Sequence, residues 1–374
     1  MNKINVIFLV LASFVACNRP MDFRNNVTID IDNWGDINNL YSSYRIIPLD
    51  NSKQALMSDP SKIKKSNGKY YIKDRNLRSI FVYDTTGRLV VRINRFGRGH
   101  GEYGEITDFD IYNDNLFILN NVARNVLKYN LNGDFVCSYD VGTFYDELAI
   151  IDSAKMLLFS NYSNDGLFNF VVFDIEKECI AKQWDKFYEN EDVSIGENFL
   201  SKCGNAILIS KPFDHMVYKY CNNTFDTLFS ITFKGCDPIP NKPGIRAKND
   251  KIDPEHRGGC SPKLRVITNL AGVTESNGKI YVGYRVPDKK YCLASQLISV
   301  DTVTFEVHSY DFTRGKPNTN FPFDSWINLT DGCAVNCWAA SHILNIIKSC
   351  NIDDSTLQAI KEDDNYVLVE NRLK

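Results

Sequence analysis

Two aspartates one residue apart, in Asp108-Phe109-Asp110-Ile111, are the carboxylates whose spacing best fits chemistry, with Asp114 close behind. Every second side chain of an extended strand shares a face, so Asp108 and Asp110 lie together. Such a pair suits general acid–base work on a glycosidic bond, or the binding of Ca²⁺. The same alternation also arises where an inner strand borders a water-filled channel, with no chemistry attached. Just upstream, Gly97-Arg98-Gly99-His100-Gly101-Glu102-Tyr103 offers backbone N–H groups with the positive charge of Arg98 and His100, a combination that can hold an anion. It equally fits a tight crossing that needs glycine backbone angles, with Glu102 and Tyr103 bonding a neighbouring loop. Cys333, Cys337, His342 and Cys350 have the residue types of a thiolate metal site, but their spacing matches no zinc motif. The sequence contains no H-E-x-x-H, nucleophile elbow or phosphate loop, and the glycine run lacks the strand-to-helix context of a dinucleotide site. No cofactor or metal is expected.

The elements that position these residues come from a repeat. Phe81-Val82-Tyr83-Asp84-Thr85-Thr86-Gly87-Arg88-Leu89-Val90 returns as Leu127-Lys128-Tyr129-Asn130-Leu131-Asn132-Gly133-Asp134-Phe135-Val136, which sets Tyr83 on Tyr129 and Gly87 on Gly133. Each copy is an apolar strand, a turn whose glycine takes positive φ, and a strand that pairs back antiparallel. Weaker copies follow at Phe173-Asp174, Tyr220-Cys221-Asn222 and Val300-Asp301. A period of this length with four short strands per unit predicts an all-β, six-bladed β-propeller. Blades are expected near 61–94, 106–139, 147–184, 198–233 and 266–312, with a sixth beginning near Phe321. That last blade lacks one strand and holds a short helical insertion from Ala339, with a second helical turn from Ser355. An open sheet edge invites association, so Val27 to Ile31 or Tyr44 to Leu49 is expected to pair with Tyr366 to Leu373 and close the ring. The segment 234–262 has little apolar periodicity and reads as a loop insertion between blades four and five, a candidate lid. Cys236 and Cys260 bracket it as a possible disulfide.

The 374 residues carry 44% hydrophobic and 12% aromatic residues, ample for a core. A net charge of −3 gives no reason to expect a nucleic-acid partner. Lys3 precedes an apolar run from Ile4 to Val15, too short to span a bilayer comfortably but suited to a signal peptide over 1–17. The remaining residues, 18–374, form one domain.

Phe14-Val15-Ala16-Cys17 resembles a bacterial lipobox, which implies acyl chains on Cys17 and stable membrane anchoring. Asn18-Arg19-Pro20 in place of an acidic run favours the periplasmic face of the outer membrane. The Gly97 to Tyr103 motif and the closing segment from Lys361 to Lys374 resemble the Bacteroides-type six-bladed β-propeller lipoproteins, often labelled TolB-like or NHL-like. That resemblance spans the whole mature chain and carries over no catalytic residue. It implies a secreted, lipid-anchored propeller of mostly unassigned function. The anchor, the closed ring and the lid-like insertion point to a monomeric cell-envelope module that binds a glycan, peptide or protein, with Arg98, His100, Glu102, Tyr103, Asp108 and Asp110 as candidate ligand contacts. The alternative is a hydrolase or lyase acting on extracellular carbohydrate or peptide at the channel mouth.

Overall fold

The computed structural model describes residues 25–162, 168–187, 198–212, 214–236, 267, 270–288, 292–314, 328–350 and 360–374. Two strands come first, β1 (Asn26–Asp30) and β2 (Tyr41–Pro48). Blade one follows as β3 (Pro60–Ser66), β4 (Lys69–Asp74), β5 (Ser79–Asp84) and β6 (Leu89–Ile93). Blade two is β7 (Asp108–Tyr112), β8 (Asn115–Asn120), β9 (Asn125–Asn130) and β10 (Phe135–Asp140). Blade three is β11 (Glu147–Ile150), β12 (Lys155–Phe159), β13 (Phe168–Asp174) and β14 (Cys179–Lys186). Blade four is β15 (Leu200–Cys203), β16 (Ala206–Ile209), β17 (Met216–Cys221) and β18 (Thr224–Lys234). Blade five is β19 (Leu270–Ser276), β20 (Lys279–Asp288), β21 (Cys292–Asp301) and β22 (Val307–Asp311). Blade six is β23 (Leu329–Thr330), β24 (Cys333–Ala339) and β25 (Tyr366–Leu373), with helix α1 (Ala340–Cys350) between the last two. Six sheets result, each built on four antiparallel strands, which is the six-bladed propeller expected from the repeat.

Turn chemistry explains why the first two repeats are the clearest. Asp84 Oδ1 accepts from the N–H groups of Thr86 and Arg88 at 2.8 and 3.1 Å, and Asn130 Oδ1 accepts from those of Asn132 and Asp134 at 2.9 Å. These side chains copy a backbone turn, and Gly87 and Gly133 supply φ of +84° and +83°. Later blades turn with other residues at positive φ: Glu178 in blade three, Asn222 and Asn223 in blade four, and Phe305 in blade five. The fold repeats there while the letters do not.

Ring closure uses β2. It pairs antiparallel with β25, setting Arg45 opposite Glu370, Ile46 opposite Val369 and Pro48 opposite Val367, and becomes the outer strand of blade six. The other candidate has a different fate. Strand β1 adds parallel to β18, Val27 opposite Ile231 and Ile29 opposite Phe233, as a fifth strand of blade four. Its alternation buries Val27, Ile29 and Ile31 in a core shared with Phe229, Ile231, Phe233 and Tyr284. At roughly 1.5–3 kcal/mol per fully buried aliphatic side chain, this is a firm attachment.

The core lies between blades rather than within them. Val82 and Tyr71 of blade one meet Phe109, Ile111 and Ile118 of blade two, and Phe159 and Phe170 of blade three meet Phe199 and Ile209 of blade four. Sheet faces packed in this way, repeated round a closed ring, leave the inner strands lining a channel. Helix α1 buries Ala340 and Ile343 against Val367 and Val369.

Strand order also separates the two faces. The inter-blade connections and the turns between second and third strands open on one face, and among the described residues these include 93–108, 140–147, 74–79 and 120–125. The opposite face carries the short turns, such as 66–69, 112–115 and 203–206. The expected lid at 234–262, the start of blade six near Phe321 and the helical turn from Ser355 fall largely outside the described residues.

Candidate functional site

The inner strands bring six ionisable side chains together in the channel. Lys62 and Lys64 leave β3 on one side, and Asp108 and Asp110 face them from β7. Lys62 Nζ stands 2.8 Å from Asp108 Oδ1 and 3.7 Å from Glu147 Oε1, and Lys64 Nζ stands 3.1 Å from Asp110 Oδ1. From β15, Lys202 Nζ reaches Asp110 Oδ2 at 2.8 Å and donates to the Ile111 carbonyl at 3.0 Å. The carboxylates also bind backbone. Asp108 Oδ2 accepts from Leu148 N–H at 3.0 Å and Asp110 Oδ2 from Ile150 N–H at 2.8 Å, while Glu147 accepts from Phe199 and Leu200 N–H at 3.0 Å. Each carboxylate therefore ties its own blade to the inner strand of the next. On the far side of blade one, Asn328 Oδ1 accepts from Ile63 N–H and Thr330 Oγ from Lys65 N–H, both at 3.1 Å.

Electrostatics follow from this geometry. Burial works to raise the Asp110 carboxyl, but Lys202 and Lys64 outweigh it and hold the group at about 2. Burial likewise opposes ionisation of Asp108, and Lys62 and Lys64 overcome it, leaving that carboxyl below its ordinary value. Glu147 goes the other way. It is raised by burial and by Asp108, because one lysine serves two carboxylates.

Asp110→Asn tests this assignment. A carboxyl whose folded value lies below its ordinary 3.8 contributes stability that is present above about pH 4 and is lost as the pH falls towards 2. At roughly 1.4 kcal/mol per pH unit, the ion pairs and backbone bond of Asp110 contribute about 2 kcal/mol at neutral pH. Urea midpoints measured from pH 2 to 6 are expected to fall less steeply below pH 4 in Asp110→Asn than in wild type. Parallel curves would remove Asp110 from the network.

The glycine-rich motif turns largely inward. Glu102 Oε2 accepts from Gly99 N–H at 2.7 Å, and a Cβ on Gly97 would stand 2.0 Å from that same oxygen. Tyr103 is fully buried; its hydroxyl accepts from Arg95 N–H at 3.1 Å and donates to the Arg78 carbonyl at 2.9 Å, and burial pushes the phenol up to about 12. Gly101, at φ +70°, gives its carbonyl to the Tyr129 hydroxyl and packs where a Cβ would meet the Phe135 ring at 2.6 Å. The motif thus shapes the crossing between blades one and two. Arg98 and His100 remain exposed on its outer side, the His100 ring edge-on to Phe135 at 4.9 Å.

The other sequence candidates stay apart. Cys333 and Cys337 lie on β24, and burial raises both thiols, Cys333 to about 11. His342 stacks on Trp338 at 4.7 Å. Among the described residues no His, Cys, Asp and Glu group has metal-binding geometry. Cys17 and Cys260 fall outside the described residues, so neither the anchor nor the Cys236 pairing is placed. The network residues that sequence reasoning missed are Lys62, Lys64, Glu147 and Lys202. A signal for two of them was present, because the offset that sets Tyr83 on Tyr129 also sets Lys62-Ile63-Lys64 on Asp108-Phe109-Asp110.

Comparison with known proteins places the fold. Residues 26–370 match the profile of a family described as a domain of unknown function, DUF4934. A Bacteroides fragilis NCTC 9343 protein designated as exported superposes with a TM-score of 0.71 at 18% identity, over 94% of this chain and 99% of that one. A DUF4221 family member from Bacteroides vulgatus ATCC 8482 gives a TM-score of 0.53 at 11% identity, over 90% and 97%. A search of curated proteins returns no match.

Proposed function

The chain belongs to the DUF4934 family, and from that premise we propose that it is an exported, lipid-anchored propeller acting as a non-catalytic binding module for a glycan, peptide or protein partner. One observation carries the reading. The carboxylates that converge in the channel, Asp108, Asp110 and Glu147, are each committed to lysine and to backbone N–H groups. A general acid or nucleophile needs a group free to meet substrate and exchange a proton with it. This network serves as the ring's internal bracing, and a partner is left with the outer faces. The crossing loop with Arg98 and His100 belongs to one of those faces.

Support for the envelope comes from the exported designation of the similar Bacteroides fragilis protein and from the lipobox-like Phe14 to Cys17. In this reading the chain works as a monomer without cofactor, held by Cys17 on the periplasmic face of the outer membrane. Mass spectrometry of the mature protein from a host that processes lipoproteins is expected to find acyl chains on Cys17, absent in Cys17→Ala. Peptide and oligosaccharide libraries are expected to yield crosslinked ligands and no turnover. Turnover that disappears in Asp110→Asn would put a hydrolase or lyase in place of the binding module.

A further inference from the structure

Arg78 and Arg124 occupy the same point of successive repeats, in the turns between second and third strands of blades one and two. Each guanidinium lies over a ring from the crossing loop that follows its own blade: Arg78 at 4.1 Å from the Phe96 centroid, Arg124 at 4.6 Å from that of Phe144. Both arginines sit at positive φ, +48° and +53°, where Gly or Asn would be less strained. The turn alone does not call for arginine. Phe96 bridges to Tyr103, and the adjoining Gly104 packs so closely under Val122 that a Cβ there would come within 2.8 Å of it. Asn121 in turn exchanges hydrogen bonds with the Tyr145 backbone at 2.9 and 3.2 Å, so Phe96, Val122 and Phe144, exposed by 47, 66 and 37%, follow one another as an apolar strip from the first arginine to the second. Neither arginine forms an ion pair among the described residues.

Aromatic and arginine side chains are enriched at protein interfaces, and guanidinium groups pair bidentately with carboxylates. We propose that this strip docks an acidic polypeptide segment whose apolar side chains cover Val122 and the two phenylalanines while its carboxylates meet Arg78 and Arg124. The inference rests on the binding-module reading and gives it a surface and a ligand chemistry. A polypeptide fits better than a glycan for two reasons. One face of each ring already carries a guanidinium group, and the most exposed member of the strip is an aliphatic side chain with no flat surface.

The test uses Arg78→Asn combined with Arg124→Asn, substitutions that suit positive φ and so keep the turns. A fluorescent peptide of alternating Asp and Leu is titrated into wild type and the double variant, with an alternating Lys and Leu peptide and polygalacturonate as competitors. Saturable binding of the acidic peptide is expected, weakened at least tenfold by the double variant and by added salt, and unaffected by the basic peptide. Failure of the acidic peptide to saturate, or equal affinity in the two proteins, overturns the proposal. So does polygalacturonate binding that the double variant abolishes, because it would put a glycan on the strip. If the double variant keeps every library crosslink of wild type, the strip is wrong and the binding module stands; if wild type forms none, both fall.

Discussion

Lys62→Met is expected to destabilise the protein by about 3–5 kcal/mol, the range for removing one partner of a buried ion pair. Methionine preserves most of the volume, so the loss is electrostatic. Lys62 is the cation nearest to both Asp108 and Glu147, and all three side chains are at most 5% exposed. Without it, burial of the two carboxylates is opposed only by backbone N–H bonds and, at Asp108, by Lys64, and their folded values rise. A carboxyl raised in the folded state binds protons that the unfolded chain has released, so its contribution to stability is present at low pH and is lost as the pH rises. The variant's deficit should thus shrink as the pH falls from neutral towards the ordinary carboxylate range. Urea denaturation followed by tryptophan fluorescence gives both quantities. Adding Asp108→Asn and Glu147→Gln to Lys62→Met should recover most of the loss, since a neutral network has no charge left to compensate. A deficit below about 1 kcal/mol at every pH would show that Lys62 braces nothing.

The second large effect concerns the repeated turn. Gly87 and Gly133 have nearly equal φ, but their surroundings differ. A Cβ on Gly87 would lie 2.1 Å from the Pro48 carbonyl oxygen of β2, whereas one on Gly133 would first meet the Ile93 side chain at 3.4 Å. Positive φ alone costs an alanine roughly 1–2 kcal/mol, and both variants should show that loss. Only Gly87→Ala must also displace backbone of the ring-closing strand, at a further cost of about 1–3 kcal/mol. Asp50 N–H donates to the Gly87 carbonyl at 2.9 Å, so the disturbance should reach the start of the connection into blade one. Hydrogen exchange is expected to speed up in β2 and β25 of Gly87→Ala and to stay near wild type there in Gly133→Ala. Equal thermal midpoints for the two variants would mean that the Pro48 contact relaxes freely.

Legibility in the sequence tracked how local each feature is. Alternation and the Asp84 and Asn130 turns are local, so strands such as Ser79–Asp84 and Asn125–Asn130 could be read directly. Closure by an N-terminal strand followed from an unpaired edge, a topological need that does not depend on which residues meet and so could not choose between Val27–Ile31 and Tyr44–Leu49. Parallel addition of β1 to β18 could not be read this way, since alternation shows that a strand is half-buried and says nothing of its partner or direction. At the channel the types of Asp108 and Asp110 suggested chemistry, but their meaning depends on lysines from other blades, nearly fifty and ninety residues away. Only the repeat offset hinted at the first pair. Lys202 carried no comparable sign, because blade four departs from the spacing of the first two.

Strand β1 has a mechanical meaning as well. A pull applied to the N-terminus meets β1 before β2, so the five-residue ladder to β18 must be stripped before any load reaches the strand that closes the ring. Behind it, Gly35 N–H bonds the Ser309 carbonyl at 2.7 Å and Arg314 holds Asp32 at 3.0 Å, so blade five grips the connection as well before β2 is reached. The chain carries a sacrificial link ahead of its clasp.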